Sequence, residues 1–281
     1  MKTAARAARL MARRYFQHKV GVQSAALAFY LLFMIFPFLI FISALLGLLH
    51  LNVTAILMTL GEFLPREVVD IVQAYLVHVG REPSLRLMLF GLFFSFWFPM
   101  RATGALMQAV RAAYHLGPPR HELVHWLKTL LYTVVLIASI ALTLALMTVG
   151  DRLLGFLMRQ FRLPVFWAAL WRRLRFPAAG AAGYFALFFL YALSQDGPRP
   201  WGELWPGTAA ALAAWLGLNW LYAEYVDRFA NYSLLYGSIG AVVVLLLWLY
   251  MTAMVLILGA EFNGTLLSLR RERREDTSFG T

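Results

Sequence analysis

Val20-Gly-Val-Gln-Ser-Ala-Ala-Leu-Ala-Phe-Tyr-Leu-Leu-Phe-Met-Ile-Phe-Pro37 opens the stretch that decides the fold of this chain. No Asp, Glu, Lys or Arg occurs from Val20 to Gly61. A helix crosses the ~30 Å hydrocarbon core of a bilayer with ~20 apolar residues. A soluble helix of this length would carry a polar stripe along one face, and this stretch has none. The sequence therefore predicts a membrane protein.

The composition of the whole chain agrees with this prediction. The chain is 61% hydrophobic and only 14% charged, whereas roughly 25% of the residues of an average soluble domain are charged. It contains no Cys, so disulfides, thiolate catalysis and Cys-ligated metals are excluded. Neither a linker nor a repeat divides residues 1–281, and we therefore predict a single membrane domain without a cofactor.

Further apolar windows predict an all-α, polytopic protein with six transmembrane helices. The windows are continuous, unlike the ~10-residue alternating strands of a membrane barrel. The predicted helices cover residues 22–49, 86–110, 128–149, 177–194, 204–223 and 235–263. Three further segments have the composition of interfacial amphipathic helices: the basic residues 1–20 (helical over 3–18), residues 65–77, and residues 151–175 with alternating Arg and large apolar side chains.

The distribution of basic residues predicts the orientation. Six spans place both termini on one side of the membrane. The segment before the first span and the tail 264–281 carry ten basic residues at Lys2, Arg6, Arg9, Arg13, Arg14, Lys19, Arg270, Arg271, Arg273 and Arg274. The positive-inside rule therefore predicts two cytoplasmic termini. The loop 151–175 argues the other way, because six Arg residues would then lie outside.

The basic residues lie next to the predicted spans, and the aromatic residues lie within them. This arrangement favours anionic lipid headgroups as partners over nucleic acid. Arg172, Arg173 and Arg175 are the candidate headgroup-binding residues. Two interpretations stay open for them: general anchoring among headgroups, or a recognition site for a specific anionic ligand.

Arg101 and Glu261 are ionisable residues inside predicted spans. A charge at this depth costs at least ~2.5 kcal/mol unless it is paired or hydrated, so both are candidate functional residues. Arg101 follows Pro99, which breaks one backbone hydrogen bond of its helix. Glu261 is a candidate partner for Arg101. The alternatives are that Arg101 binds an anionic ligand or extends its side chain to the membrane interface.

Other features inside the spans indicate packing more than chemistry. Pro37 predicts a structural kink in the first span or, alternatively, a broken helix that lines a polar cavity. Asn219 is interpreted as an interhelical hydrogen-bonding residue, with ligand contact as the alternative. Small residues at helix-packing spacing occur at Ala179, Gly183, Gly207 and Ala211.

His121-Glu-Leu-Val-His125 has the H-E-x-x-H pattern of zinc hydrolases. On a helix this pattern presents two imidazoles on one face, with a Glu to activate water. No His follows His125 and no second ligand motif is recognisable, so His121 and His125 are weak metal candidates. A solvated helix start is the preferred interpretation.

Three motifs resemble the YihY/BrkB family, formerly called ribonuclease BN-like. They are Ser24-Ala-Ala-Leu-Ala-Phe-Tyr30 through Phe36-Pro37, Trp205-Pro206-Gly207, and Tyr236-Gly-Ser-Ile-Gly240 through Leu247-Trp-Leu-Tyr250 to Leu258-Gly-Ala-Glu-Phe-Asn263. The chain departs from the family pattern at Met34, where Ser is frequent, and at Arg111, where Asn is common. The resemblance implies a six-helix protein of the bacterial inner membrane with cytoplasmic ends, and it places His121 and His125 in a variable loop.

We therefore predict a transporter that is not an enzyme and that moves or handles an anionic lipid or amphiphile between leaflets. The candidate substrate contacts are Tyr30, Pro37, Arg101, Asn219, Glu261 and Asn263. Three alternatives stay open: a small-solute or ion exporter, a non-catalytic envelope scaffold, and an intramembrane zinc hydrolase. A homo-oligomer is compatible with the sequence, which does not name the substrate.

Overall fold

A computed structural model describes residues 2–48, 84–119, 121–148, 166–229 and 232–278. Within these ranges the chain forms helices joined by turns, which confirms the predicted all-α class. The helices are α1 (Lys2–Gln17), α2 (Val20–Leu48), α3 (Leu85–Ala113), α4 (Glu122–Thr148), α5 (Phe166–Leu193), α6 (Trp201–Phe229) and α7 (Tyr232–Ser278).

Five stretches of the described helices are long and apolar enough to cross a membrane. They are Val20–Phe38, Leu85–Ala113, Glu122–Ile140, Arg173–Leu193 and Val242–Glu272. Each overlaps a predicted span, so the chain is a multi-pass membrane protein. The remaining predicted span, 204–223, lies within α6 but is not among the five, since Trp, Gly, Pro and Asn dilute its apolar residues.

The structure describes one of the three predicted interfacial segments almost fully, one in part and one not at all. The predicted helix over 3–18 corresponds to α1 (Lys2–Gln17), which ends one residue earlier than expected and packs along α7. Residues 65–77 lie outside the described residues, as does most of the segment 151–175. Its last part, residues 166–175, is the beginning of α5, which therefore starts eleven residues before the predicted 177.

Helices α6 and α7 form the most extensive described contact and run antiparallel. Residue numbers rise along α6 as they fall along α7. The contacts that show this are Gly207 with Asn263, Ala211 with Gly259, Asn219 with Trp248, and Tyr222 with Val244. These pairs extend from Gly207 to Tyr222 of α6, which is ~22 Å at a rise of 1.5 Å per residue.

The chain divides into two compact units, residues 29–102 and residues 1–28 with 103–281. In the first unit, Gly91 of α3 packs against the backbone of α2. A Cβ atom at Gly91 would lie 2.6 Å from the backbone nitrogen of Phe41 and 2.9 Å from the carbonyl oxygen of Pro37. The rings of Phe33 and Phe98 also meet there, at 6.2 Å between centroids. A residue without a side chain is therefore needed at position 91.

In the second unit, the ends of several helices meet. Arg111, at the end of α3, and Lys128, near the start of α4, both bind the turn after α5. The first turn of α6 is bound from α7 through Arg270 and Gly202. Helix α1 joins the same region through its contact with α7. This end of the unit holds the candidate site.

Candidate functional site

Glu261 is the most deeply buried carboxylate of the described residues. It lies on α7 between Ala260 and Phe262, and its side chain is 0% exposed. An isolated ionised carboxylate is very costly in an apolar environment, so it must be paired. The structure supplies that pairing from the N-terminal segment of the chain.

His18 and Arg14 hold the two oxygens of this carboxylate. The Nδ1 atom of His18 lies 2.5 Å from Oε1 of Glu261, and Nη1 of Arg14 lies 3.9 Å from Oε2. Within the described residues no donor makes a hydrogen bond to Oε2. The carboxylate is thus hydrogen-bonded on one side and balanced electrostatically on the other.

The turn between α1 and α2 positions these two partners. Lys19 has a φ of 50°, in the left-handed region that costs a non-glycine residue roughly 1 kcal/mol. The amide of His18 donates to the Arg14 carbonyl at 2.8 Å, and the Gln23 side chain donates to the His18 carbonyl at 2.9 Å. These bonds close the end of α1 and orient His18 toward α7.

His115 completes the cluster from the end of α3. The amide of Leu116 donates to the Arg111 carbonyl at 2.9 Å and that of His115 to the Ala112 carbonyl at 3.0 Å, the pattern of a Schellman cap. His115 occupies the left-handed position of this cap, with a φ of 54°. Glycine is usual at this position, so His115 adopts a backbone conformation that is strained for a residue with a side chain.

The contact between the His115 ring and Arg14 indicates which ring nitrogen carries the proton. Nη2 of Arg14 lies 2.8 Å from Nε2 of His115. A guanidinium only donates, so Nε2 must accept and the imidazole must be neutral, with its proton on Nδ1. Burial lowers the pKa of His115, as do Arg14 and His18 to a smaller extent. The rings of His18 and His115 are 5.7 Å apart.

Arg14 reaches this cluster because α7 offers it no bulky side chain. A Cβ atom at Gly264 would overlap the carbonyl oxygen of Ala113 and lie 2.9 Å from Nη1 of Arg14. Ser268 accepts a hydrogen bond from Nη2 at 2.8 Å. Burial lowers the pKa of Arg14 and the Glu261 carboxylate opposes that change, but a guanidinium stays charged throughout.

Asn263 connects the same face of α7 to α6. Pro206 has no N–H, so the carbonyl of Gly202 loses its helical donor, and Arg270 donates to it at 3.4 Å. The Asn263 amide accepts from the Gly207 backbone at 2.6 Å and donates to the Leu204 carbonyl at 2.7 Å. The Trp-Pro-Gly motif and the Asn of the last motif are therefore parts of one contact.

Arg111 forms a second polar network beside the first. Its side chain is buried and pairs with Asp196 at 2.7 Å. It also donates to the carbonyl of Ser194 at 3.1 Å and of Gly117 at 2.7 Å. Cations at a helix C-terminus satisfy carbonyls that have no helical donor. Arg111, at the position where this chain departs from the family pattern, thus ties the end of α3 to the end of α5.

The predicted substrate contacts are divided between the two units of the chain. Arg101 is exposed on α3, with its guanidinium 5.7 Å from the Trp97 ring. Glu261 has other partners, so its charge is balanced without Arg101. Tyr30 is half-buried and Pro37 is buried, both in the unit 29–102. Asn219 accepts from Nε1 of Trp248 at 3.1 Å, the interhelical bond that was its preferred interpretation.

The remaining candidates are three arginines of α5 and the two histidines of the H-E-x-x-H pattern. Arg173 is exposed, Arg175 lies over the Phe176 ring at 5.0 Å, and the side chain of Arg172 is outside what the structure describes. His121 is exposed and His125 is half-buried. Among the described residues, no three His, Cys, Asp or Glu side chains are grouped to hold a metal.

Sequence reasoning singled out Glu261 and missed Arg14, His18, His115 and the Arg111–Asp196 pair. One signal for Arg14 was present. If both chain ends lie on one side of the membrane, the basic N-terminal segment is near the end of the last span. The sequence carries no comparable signal for His115, whose place depends on a cap usually made by glycine.

Fold and site together define a multi-pass α-helical membrane protein with a buried ion network between its first and last helices. The sequence profile of the family described as Virulence factor BrkB matches residues 11–279. The chain belongs to this family, which confirms the resemblance drawn from its motifs.

Individual relatives agree with the assignment. The ribonuclease-like protein YfkH of Bacillus subtilis (strain 168) is 27% identical over 267 residues, 95% of this chain and 96% of YfkH. A UPF0761 membrane protein of Klebsiella pneumoniae (strain 342) is 28% identical over 159 residues, 55% of this chain and 50% of that protein. No solved structure matches the chain.

Proposed function

We propose that this chain is a transporter of the bacterial inner membrane that moves an anionic lipid or amphiphile between leaflets. Arg14, His18 and Glu261 form its gate. The observation that carries the proposal is the fully buried Glu261, whose partners Arg14 and His18 both come from the segment that precedes the first span. Ionisable groups at such positions are costly and mark transport pathways and proton relays.

We further propose that α6 is the sixth span and that both termini are cytoplasmic. The antiparallel contact of α6 with α7 supports this, because residues 207–222 of α6 lie beside the apolar stretch Val242–Glu272. The Arg6–Glu272 ion pair also supports it, at 2.8 Å between the first and last helices, since an even number of crossings returns the chain to its starting side. The basic excess at this end favours the cytoplasm.

The gate follows from the electrostatics of Arg14. An anionic headgroup that reaches Arg14 offers it the same charge as Glu261, so it competes directly for the guanidinium. A ligand shifts a conformational equilibrium only by binding one state better than the other. The state in which α1 has released Glu261 is the one that frees Arg14. Exposed Arg9 and Arg13 on α1 raise the local concentration of anionic lipid.

The proposal is tested with purified protein in liposomes that contain fluorescent phosphatidylglycerol or phosphatidylcholine. We expect the wild-type protein to equilibrate phosphatidylglycerol between leaflets faster than protein-free liposomes do, and faster than it equilibrates phosphatidylcholine. Arg14→Gln should reduce the rate at least tenfold. Arg13→Gln is the matched control, since Arg13 is exposed on the same helix turn. It removes one cation that attracts anionic lipid but leaves the contact of Arg14 with Glu261, so it should lower the rate much less than Arg14→Gln does.

Gel filtration of the reconstituted proteins separates loss of function from loss of fold. A folded wild-type protein that moves neither lipid would overturn the proposal and favour the exporter or scaffold alternatives. Equal rates for Arg14→Gln and wild type would refute the proposed gating role of Arg14.

A further inference from the structure

An apolar groove lies between α6 and α7 on the side closed by α1. It encloses about 160 Å³ and is lined by Met11, Ala210, Ala214, Leu258 and Phe262, among other apolar residues. Ala210 and Ala214 are exposed, so the groove is open along α6. The small alanine side chains create it, because a larger residue at either position would fill the space.

The lining decides which kind of ligand fits. A polar ligand would lose its hydrogen bonds to water without gaining any from this surface. The volume is below the 300–1,000 Å³ typical of sites for whole small molecules. It is also too small for a helix of another protein. A flexible hydrocarbon segment is the ligand that suits an apolar groove on the side of a spanning helix.

A cationic side chain lies beyond one end of the groove, about two helical turns further along α7. Arg270 is exposed on α7 and contacts Gly202 on α6. Phe262 and Ala210 lie eight residues away from Arg270 and Gly202 along their respective helices, which is ~12 Å at 1.5 Å per residue. Each headgroup layer of a bilayer is roughly 5–7 Å thick. Arg270 is therefore at headgroup depth when the groove is at the depth of the upper acyl chain.

We propose that this groove binds one acyl chain of an anionic phospholipid whose headgroup lies at Arg270. The lipid comes from the leaflet on the side of the two chain termini. The inference rests on the proposed function for the class of substrate, and it adds where that substrate is held. Met11 of α1 also lines the groove. Release of α1 from α7 would therefore uncover the bound acyl chain together with Glu261.

The test uses liposomes with phosphatidylglycerol or phosphatidylcholine that carries a photoreactive diazirine in one acyl chain. After illumination, mass spectrometry maps the labelled residues. We expect phosphatidylglycerol to label the stretch 255–262 at least fivefold more than phosphatidylcholine does. Ala214→Trp fills the groove and should remove this label. Ala213→Trp, an exposed neighbour on α6 outside the groove, should retain it.

Arg270→Gln should lower the label from phosphatidylglycerol to the level of phosphatidylcholine. The inference is overturned by equal labelling in the two Trp variants, by equal labelling from the two lipids, or by cross-links to a second copy at the groove. Translocation is measured on the same liposomes. A labelled groove without translocation overturns the proposed function and leaves this inference in place, whereas translocation without groove labelling overturns only the inference.

Discussion

Glu261→Gln removes the negative charge of the buried network and changes little else. Glutamine has the shape of glutamate and keeps an acceptor for His18, so the loss falls on Arg14, whose side chain is only 8% exposed. Removing one partner of a buried ion pair costs ~3–5 kcal/mol, since the other charge stays buried and uncompensated. Arg14 retains Ser268 and His115 as neutral acceptors, so we expect the lower end of this range, ~3 kcal/mol.

For a chain of this size, ~1 kcal/mol shifts the midpoint of thermal unfolding by roughly 2–4 °C, so Glu261→Gln should lower it by about 6–12 °C. Glu272→Gln is the matched control on the same helix. Its partner Arg6 is 63% exposed and Glu272 itself 44%, and such surface pairs contribute less than ~1 kcal/mol. The assay is heating in detergent followed by gel filtration of the folded fraction. Equal midpoints for the two variants would refute the reasoning that Glu261 is ionised and paired.

Three further predictions concern other parts of the structure and are checked by the same assay. Gly207→Ala should cost roughly 1–3 kcal/mol because its Cβ would overlap the backbone of α7, whereas Gly217→Ala, with open space around it, should not destabilise. Burial and Arg14 lower the pKa of His115, so the folded protein takes up this proton less readily than the unfolded chain. The free energy of unfolding should therefore decline as the pH falls below about 6.5, and less so in His115→Asn, which tolerates the left-handed backbone. Arg101→Ala should lower stability by no more than ~1 kcal/mol, as expected for an exposed cation on an aromatic ring, and a loss above that would reveal a buried partner.

The helices of this chain could be predicted because the bilayer imposes both their length and their apolar composition. The predicted helix boundaries were inaccurate where a helix continues beyond the last apolar residue of its span. Helix α7 extends to Ser278, fifteen residues beyond the predicted 263. Its extension is rich in Leu, Arg and Glu, which favour helix, and contains no Pro to end it. Helix α5 likewise runs through Pro177, the residue at which the predicted span began.

The candidate site was predictable only in part. Glu261 stood out because a carboxylate within a long apolar helix requires a partner. The choice among basic residues, however, depends on which helices touch, and a hydropathy pattern does not contain that information. Arg14 and Arg13 are adjacent and chemically identical, yet one is buried against Glu261 and the other is exposed. Only the packing of α1 on α7 separates them.

This packing also determines what happens when α1 moves. Arg14 and His18 belong to one short segment, so release of α1 from α7 would remove both partners of Glu261 in a single step. The carboxylate would then be buried without either partner, which is costly unless water or another group reaches it. Docking of α1 and the pairing of Glu261 are therefore one equilibrium. Anionic lipid that binds the exposed Arg9 and Arg13 without displacing Arg14 leaves this equilibrium unchanged, whereas an anion that reaches Arg14 shifts it.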